Sequence, residues 1–278
     1  MKAVPFAKMS GLGNDFIIVD NRSGALAGID LSEFARKVCA ARLSLGGDEL
    51  MIIEAPSSGG DYSMRTINPD GSEVKMCGNA SRCVARYAYE HGIAGARQAI
   101  DTLGGQVEAL VEAGQVRVGL RVTAPVELGI SLAAEGRGFN LAALEISGAP
   151  HAVVELEELD QATPELIHRL GRAIRHHPRF PLGINVNFIK LVGRQALLQR
   201  TFERGVEGET LACGTGATAS ALACALRGLV DSPVAVRVRG GELSVSFERA
   251  GSSFERVFLG GGARFVAEGS IHPEGWNW

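Results

Sequence analysis

Short apolar runs alternate with longer amphipathic stretches along this chain, and they do so twice. "DFIIVD", "LMIIE" and "YSMRTI" in the first part, and "HAVVEL", "VNFIKLV" and "LLQRTF" in the second, are brief and rich in β-branched and aromatic residues. That pattern predicts strands. Among them, "LSEFARKVCAAR" and "TPELIHRLGRAIRHH" place apolar residues at helical spacing with a polar opposite face, predicting amphipathic helices. Two further stretches, "GNASRCVARYAYEHG" and "GTGATASALACALRGL", begin directly after a cysteine and predict helices that start at Cys77 and Cys213. The second is small and apolar on every face, so it is expected inside the sheet of its own half.

The order of these elements is an internal repeat. Gly104 and Gly105 follow Cys77 at the same offsets as Gly240 and Gly241 follow Cys213, and each pair leads into an alternating segment, "QVEALV" or "ELSVSF". "RTI" and "RTF" precede the two cysteines, and "GNDFIIVD" and "GAPHAVVE" lie farther upstream in matching positions. The expected architecture is therefore mixed α/β, with two pseudo-symmetric domains. Residues 1–122 carry Cys77 and residues 123–264 carry Cys213, with residues 265–278 returning to the first. The junction is expected within residues 122–145, where the apolar pattern weakens.

Bulk properties narrow the class. A chain of 278 residues suits two domains of ordinary size. The formal net charge of −3 gives no sign of a polyanion partner, so no nucleic acid is expected. The longest apolar run, residues 217–226, stops at Arg227, too short to span a bilayer. The N-terminus lacks a continuous apolar signal region, so a cytoplasmic protein is expected. Five scattered cysteines are not a disulfide framework, and the Cys77–Cys83 spacing fits no common zinc site. Neither a metal nor a cofactor is expected, and Cys39, Cys83 and Cys224 are read as core residues.

The other two cysteines point to chemistry. A helix N-terminus offers unpaired N–H groups and partial positive charge, and glycine there lets an anion approach the backbone. The same field is expected to lower a thiol pKa from about 8.5 toward ~3.5–7.5. "CGN" and "CGT" thus each pair a thiol with a carboxylate cradle. Two such units, related by the repeat and facing one cleft, suit inversion of a stereocentre: one group removes a proton while the other delivers one to the opposite face. The two helix N-termini would stabilise the carbanion as an enediolate.

Here the residues resemble a known family. "KMSGLGNDF", "NPDGSEVKMCGN", "GAPHAVV", "INVNFI" and "FERGVEGETLACGTG" occur in order along essentially the whole chain and resemble diaminopimelate epimerase. The resemblance implies two pseudo-symmetric domains, each a mixed sheet wrapped around a central helix, with the site in the cleft and a homodimeric assembly. It implies a cofactor-independent epimerase interconverting LL- and meso-2,6-diaminopimelate, in lysine and peptidoglycan precursor synthesis. Position by position, it makes Cys77 and Cys213 the catalytic pair, with His151 and Glu203 assisting. Gly78, Asn79, Gly214 and Thr215 become donors to the reacting carboxylate, and Asn14 a substrate contact. Asn68, Asn185, Glu203 and Arg204 become the grip on the distal amino acid end, a set suited to a zwitterion.

Three positions depart from the family pattern. Ala149 stands where an asparagine is common, Ala80 where a glycine is, and Glu49 where glutamine or glycine is commoner. Ala149 keeps a second reading open, a related two-cysteine racemase with another amino-acid substrate. A cysteine–histidine hydrolase would leave the second cysteine unexplained, and a binding module or redox pair would need neither thiol for acid–base work.

Overall fold

A run of paired turns folds the first half. The computed structural model describes residues 2–75 and 78–278, and the chain divides into two units, residues 1–118 with 261–278 and residues 119–260. In the first, β1 (Val4–Gly11) and β2 (Asn14–Asp20) form a hairpin turning at Leu12 and Gly13, both at positive φ. That backbone twist matches the twist of the strands it joins. α1 (Leu31–Val38) then leads to β3 (Glu49–Glu54), which runs parallel to β2. β4 (Tyr62–Ile67) returns antiparallel and carries the short β5 (Glu73–Val74). After α2 (Gly78–Glu90) come β6 (Arg97–Thr102), parallel to β4, and the antiparallel strands β7 (Gly105–Glu112) and β8 (Gln115–Gly119).

The second unit repeats the plan. β9 (Val122–Ala134) and β10 (Arg137–Ile146) form a long hairpin, turning at Glu135 and Gly136, both at positive φ. β11 (Ala149–Glu155), α3 (Pro164–Arg175), β12 (Asn185–Gly193), β13 (Ala196–Glu203) and β14 (Gly208–Thr210) correspond to β2 through β5. α4 (Gly214–Leu226), β15 (Val234–Val238), β16 (Gly241–Ala250) and β17 (Ser253–Gly262) correspond to α2 through β8. β11–β12 and β13–β15 are the parallel pairs, as β2–β3 and β4–β6 are in the first unit. The last strand, β18 (Arg264–Ile271), pairs antiparallel with β1, the place β9 holds beside β10.

In each unit the sheet wraps one helix and presents its other face to a second. α4 is buried at nearly every position because its side chains are small enough to sit among strands on all sides. α3 lies outside, with Ile167, Leu170 and Ile174 against Val154, Phe188 and Phe202. Gly171 permits this close approach, since a Cβ there would fall 2.5 Å from the Phe202 Cβ. In the first unit Phe34 and Val38 of α1 pack on Leu50 and Ile52, and Trp276 closes the cluster edge-on to Phe34 at 5.3 Å. Both outer helices are capped: Asp30 accepts the Glu33 N–H at 3.0 Å and Thr163 the Leu166 N–H at 3.2 Å.

Two expectations need adjustment. α1 stops at Val38, short of the "CAAR" its apolar pattern included, because the chain turns away at Cys39 and reaches positive φ at Arg42. Much of residues 122–145, read as a weakly patterned junction, lies in the β9–β10 hairpin. The first half of β9 sets half-buried Val122, Ala124 and Val126 against exposed Thr123, Pro125 and Glu127, with no fully buried residue, so its alternation is weak there. No described helix is long and apolar enough to cross a membrane.

Candidate active site

The second unit gathers most of the expected residues around the start of α4. Cys213 is its N-cap residue, 6% exposed, with extended backbone (φ −122°, ψ 107°) that turns into the helix at Gly214. Sγ lies 3.7 Å from Thr215 Oγ1 and accepts from the Gly216 N–H. Gly216 is required here: a Cβ would fall 2.1 Å from Asn187 Oδ1 and 3.1 Å from Cys213 Sγ.

The Cys213 thiol differs from expectation. The helix N–H and Thr215 do favour the thiolate, in the expected direction. Burial pushes the pKa up more strongly, and the nearby Glu203 carboxylate, which also accepts a hydrogen bond from the thiol, pushes it further. At neutral pH Cys213 is therefore a thiol with its proton directed at a carboxylate, the form of an acid. Cys77 lies outside the described residues.

Glu203 ends β13, where the strand gives way to a turn. Thr210 of β14 donates to its Oε1 at 2.5 Å. The neighbouring Glu209 is locked to Arg200 by two bonds of 2.6 and 2.7 Å, which fixes β14 and so the Thr210 hydroxyl. Arg204 follows as an exposed side chain, and its backbone N–H donates to Asn185 Oδ1 at 2.9 Å. Asn185 in turn donates to Pro150 O at 3.0 Å, so its amide ties β12 to both the β11 start and the Arg204 turn. Across the parallel pair Asn185 faces His151. His151 is fully buried and its pKa falls to about 3, chiefly from desolvation and secondarily from the Arg204 charge. It is a neutral ring at neutral pH.

In the first unit, α2 begins at Gly78, and the buried Asn79 donates to Asn14 Oδ1 at 2.7 Å. Asn14 donates in turn to Asp48 at 3.1 Å. The Asn79 Oδ1 accepts from the fully buried Arg82 at 3.0 Å. Gly78, Asn79 and Asn14 thus form one cluster at a helix N-terminus. Asn68 sits in a separate turn, bonded to Ser72 through its backbone at 2.8 Å and its amide at 3.0 Å. Ala149 opens β11 with a methyl group where an amide was looked for.

Sequence reasoning missed Asn187, Thr201 and Thr210. Asn187 had a visible signal: it is two residues from Asn185 on one face of an otherwise apolar strand, "INVNFI", where a buried amide needs partners. Among the described residues no group of histidine, cysteine or carboxylate side chains could hold a metal ion.

The architecture is shared with solved structures of one fold. A PhzF-family phenazine biosynthesis protein from Bacillus anthracis superposes with a TM-score of 0.75 at 17% identity, covering 98% of this chain and 100% of that one. A hydroxyproline epimerase from Agrobacterium vitis gives 0.69 at 18% identity, covering 99% and 95%. These define the fold class, a two-domain mixed α/β architecture with a helix inside each sheet. Closer in sequence, the diaminopimelate epimerases of Aquifex aeolicus and Methanothrix thermoacetophila are 40% and 39% identical over 97% and 99% of this chain and 98% of each relative. The diaminopimelate epimerase sequence profile matches residues 6–122 and 144–266. The chain therefore belongs to the diaminopimelate epimerase family and is an isomerase.

Proposed function

We propose that the protein interconverts LL- and meso-diaminopimelate without a cofactor, using Cys77 and Cys213 as a thiolate–thiol pair. One thiolate takes the α-proton, and the C–H electron pair moves into the adjacent carboxylate as an enediolate. The opposite thiol then delivers its proton to the other face of the carbon. The stereocentre is inverted, and the two sulfurs have exchanged protonation states. Cys213, held as a thiol by burial and Glu203, is the acid in the direction the free protein is poised to run. The observation that carries this reading is the N-cap thiol beside a carboxylate fixed by Thr210, at a helix N-terminus able to cradle an anion.

Gly78, Asn79, Gly214 and Thr215 would hold the reacting carboxylate, with Asn14 beside them. Asn68, Asn185, Glu203 and Arg204 would hold the distal amino acid end. The family resemblance supports a cytoplasmic homodimer supplying lysine and peptidoglycan precursors. Ala149 supports a second reading, a racemase of the same mechanism acting on another amino acid, because one amide is missing from the expected set.

NMR of LL-diaminopimelate with reduced protein in D₂O tests both. The expected result is loss of the α-proton signal with growth of the meso isomer, abolished in Cys77→Ala and in Cys213→Ala. Exchange only with a different amino acid would move the protein to the second reading. Silence across a panel of amino acids would end both.

A further inference from the structure

His151 is buried with one ring nitrogen engaged and the other without a hydrogen-bond partner among the described residues. Asn187 Nδ2 lies 3.0 Å from Ala152 O and 3.2 Å from His151 Nδ1, while Asn187 Oδ1 accepts from Thr201 Oγ1 at 3.0 Å. A backbone carbonyl can only accept, so the end of the amide facing Ala152 is the NH₂ group. Its second hydrogen faces Nδ1, which must then present its lone pair. The single proton of the neutral ring is accordingly on Nε2. Nε2 is buried and has no hydrogen-bond partner among the described residues.

The fold does not require this arrangement, because the first unit does without it. In the matching registers, Phe16 faces Glu49 where His151 faces Asn185, and Met51 pairs with Thr66 where Asn187 pairs with Thr201. Phe16 and Met51 are fully packed apolar side chains. A buried donor left without an acceptor is a cost to folding, and a feature confined to the half that holds Cys213 and Glu203 invites a functional reason. Gly216 adds to this, since only glycine leaves room for the Asn187 amide against the first turn of α4.

We propose that Asn187 is a positioning residue that holds His151 as the Nε2–H tautomer, so that the imidazole is a neutral hydrogen-bond donor to an anionic oxygen of the bound substrate and not a base. The proposal rests on the epimerase reading above. Neither ring nitrogen is free to take an α-proton: Nδ1 is filled by the Asn187 amide and Nε2 already carries hydrogen. The depressed pKa of the ring, to which the Arg204 charge contributes, agrees with a group that stays neutral throughout. A donor of this kind gains strength as negative charge grows on the enediolate, which is where a fixed dipole lowers a barrier most.

The test uses full-length reduced protein labelled with ¹⁵N-histidine and two-bond ¹H–¹⁵N spectra, with the His151 resonances assigned by their loss in His151→Gln. The free wild-type protein should show Nε2–H alone at neutral pH, and an equilibrated LL/meso-diaminopimelate mixture should move that proton downfield. Asn187→Asp, whose carboxylate can only accept, should turn the ring to Nδ1–H and lower kcat about 10²–10³-fold with little change in KM, the size expected for one lost donor. Thr201→Val leaves both amide hydrogens of Asn187 in place, so it should keep the Nε2–H tautomer and most of kcat even if Asn187→Asp does not fold. Nδ1–H or an imidazolium in the wild type would overturn the proposal. So would an Asn187→Asp protein with a turned ring and unchanged kcat, or turnover without any shift of the Nε2–H signal. Failure of the wild type to turn over diaminopimelate would instead remove the functional reading, because the tautomer is read in the free protein.

Discussion

The two units share a pairing scheme but not a chemistry. β2–β3 and β11–β12 are parallel in the same register, and β4 and β13 each carry a two- or three-residue strand that leads into the inner helix. Within that common frame the first unit sets Phe16, Met51 and Thr66, and the second sets His151, Asn187 and Thr201. The inner helices diverge in the same way. α2 buries Asn79 and Arg82 in its first turns, whereas α4 is built mostly of alanine, glycine and threonine and carries no charged side chain. The repeated plan gives each unit a helix N-terminus able to face an anion, with different polar partners around it. A repeated pairing scheme thus leaves the two units with different polar surroundings.

The strongest way to break this comparison is to make the second unit like the first. The double variant His151→Phe/Asn187→Met should fold with a loss of about 1–3 kcal/mol, since the buried His151–Asn187 pair leaves together while Ala152 O and Thr201 Oγ1 each lose a partner. It should lose at least about 10³-fold in turnover, read by the D₂O exchange assay. A double variant that unfolds would show that the polar trio supports the fold and not only the site.

Acid sensitivity should differ next. Above about 6.5 both folded and unfolded chains keep His151 neutral, and between 6.5 and about 3 only the unfolded chain takes the proton. Stability should therefore fall by ~1.4 kcal/mol per pH unit across that window from this ring, roughly 3 kcal/mol by pH ~4.5. Urea unfolding as a function of pH should show this slope in the wild type and a shallower one in His151→Phe.

A smaller contrast concerns the first helical turns. Gly216→Ala should cost ~1–3 kcal/mol and most activity, because the new methyl meets Asn187 Oδ1 and Cys213 Sγ. Ala80→Gly at the matching place in α2 should cost only about 0.5–1 kcal/mol through helix entropy. Smallest, and equal between the units, are the outer-helix caps. Asp30→Ala and Thr163→Ala should each lower stability by ~1 kcal/mol without touching activity, as thermal melts beside rate measurements would show.

How much of this was legible follows from which signals are local. The inner helices were readable because a cysteine–glycine step marks each start and their composition changes abruptly there. Strand placement was readable wherever one face or both is buried, as in "DFIIVD" and "VNFIKLV". The β9–β10 hairpin was not, because the first half of β9 is only half-buried on one face, Pro125 and Gly129 interrupt it, and the clear alternation of Ile130, Leu132 and Ala134 is confined to the five residues before the Glu135–Gly136 turn. In the site, Cys213, Glu203 and His151 were legible from motif and resemblance together. The thiol's direction of shift was not, since burial and a carboxylate brought from β13 are tertiary facts that outweigh the local helix field. Asn187 and Thr210 act through other side chains, and a residue whose partners arrive from separate strands leaves only a weak trace in the sequence.

The central claim, two thiols of opposite protonation acting on opposite faces, is most directly tested by following isotope early in the reaction. Protiated LL-diaminopimelate is incubated with the wild-type protein in D₂O and both isomers are examined before a tenth of the substrate has turned over. The account predicts deuterium at the inverted carbon of the meso product while the remaining LL substrate stays protiated, because the delivering sulfur was equilibrated with solvent and the accepting one was not. A meso product that keeps the substrate's own hydrogen would mean a single group serves both faces, and would contradict the account.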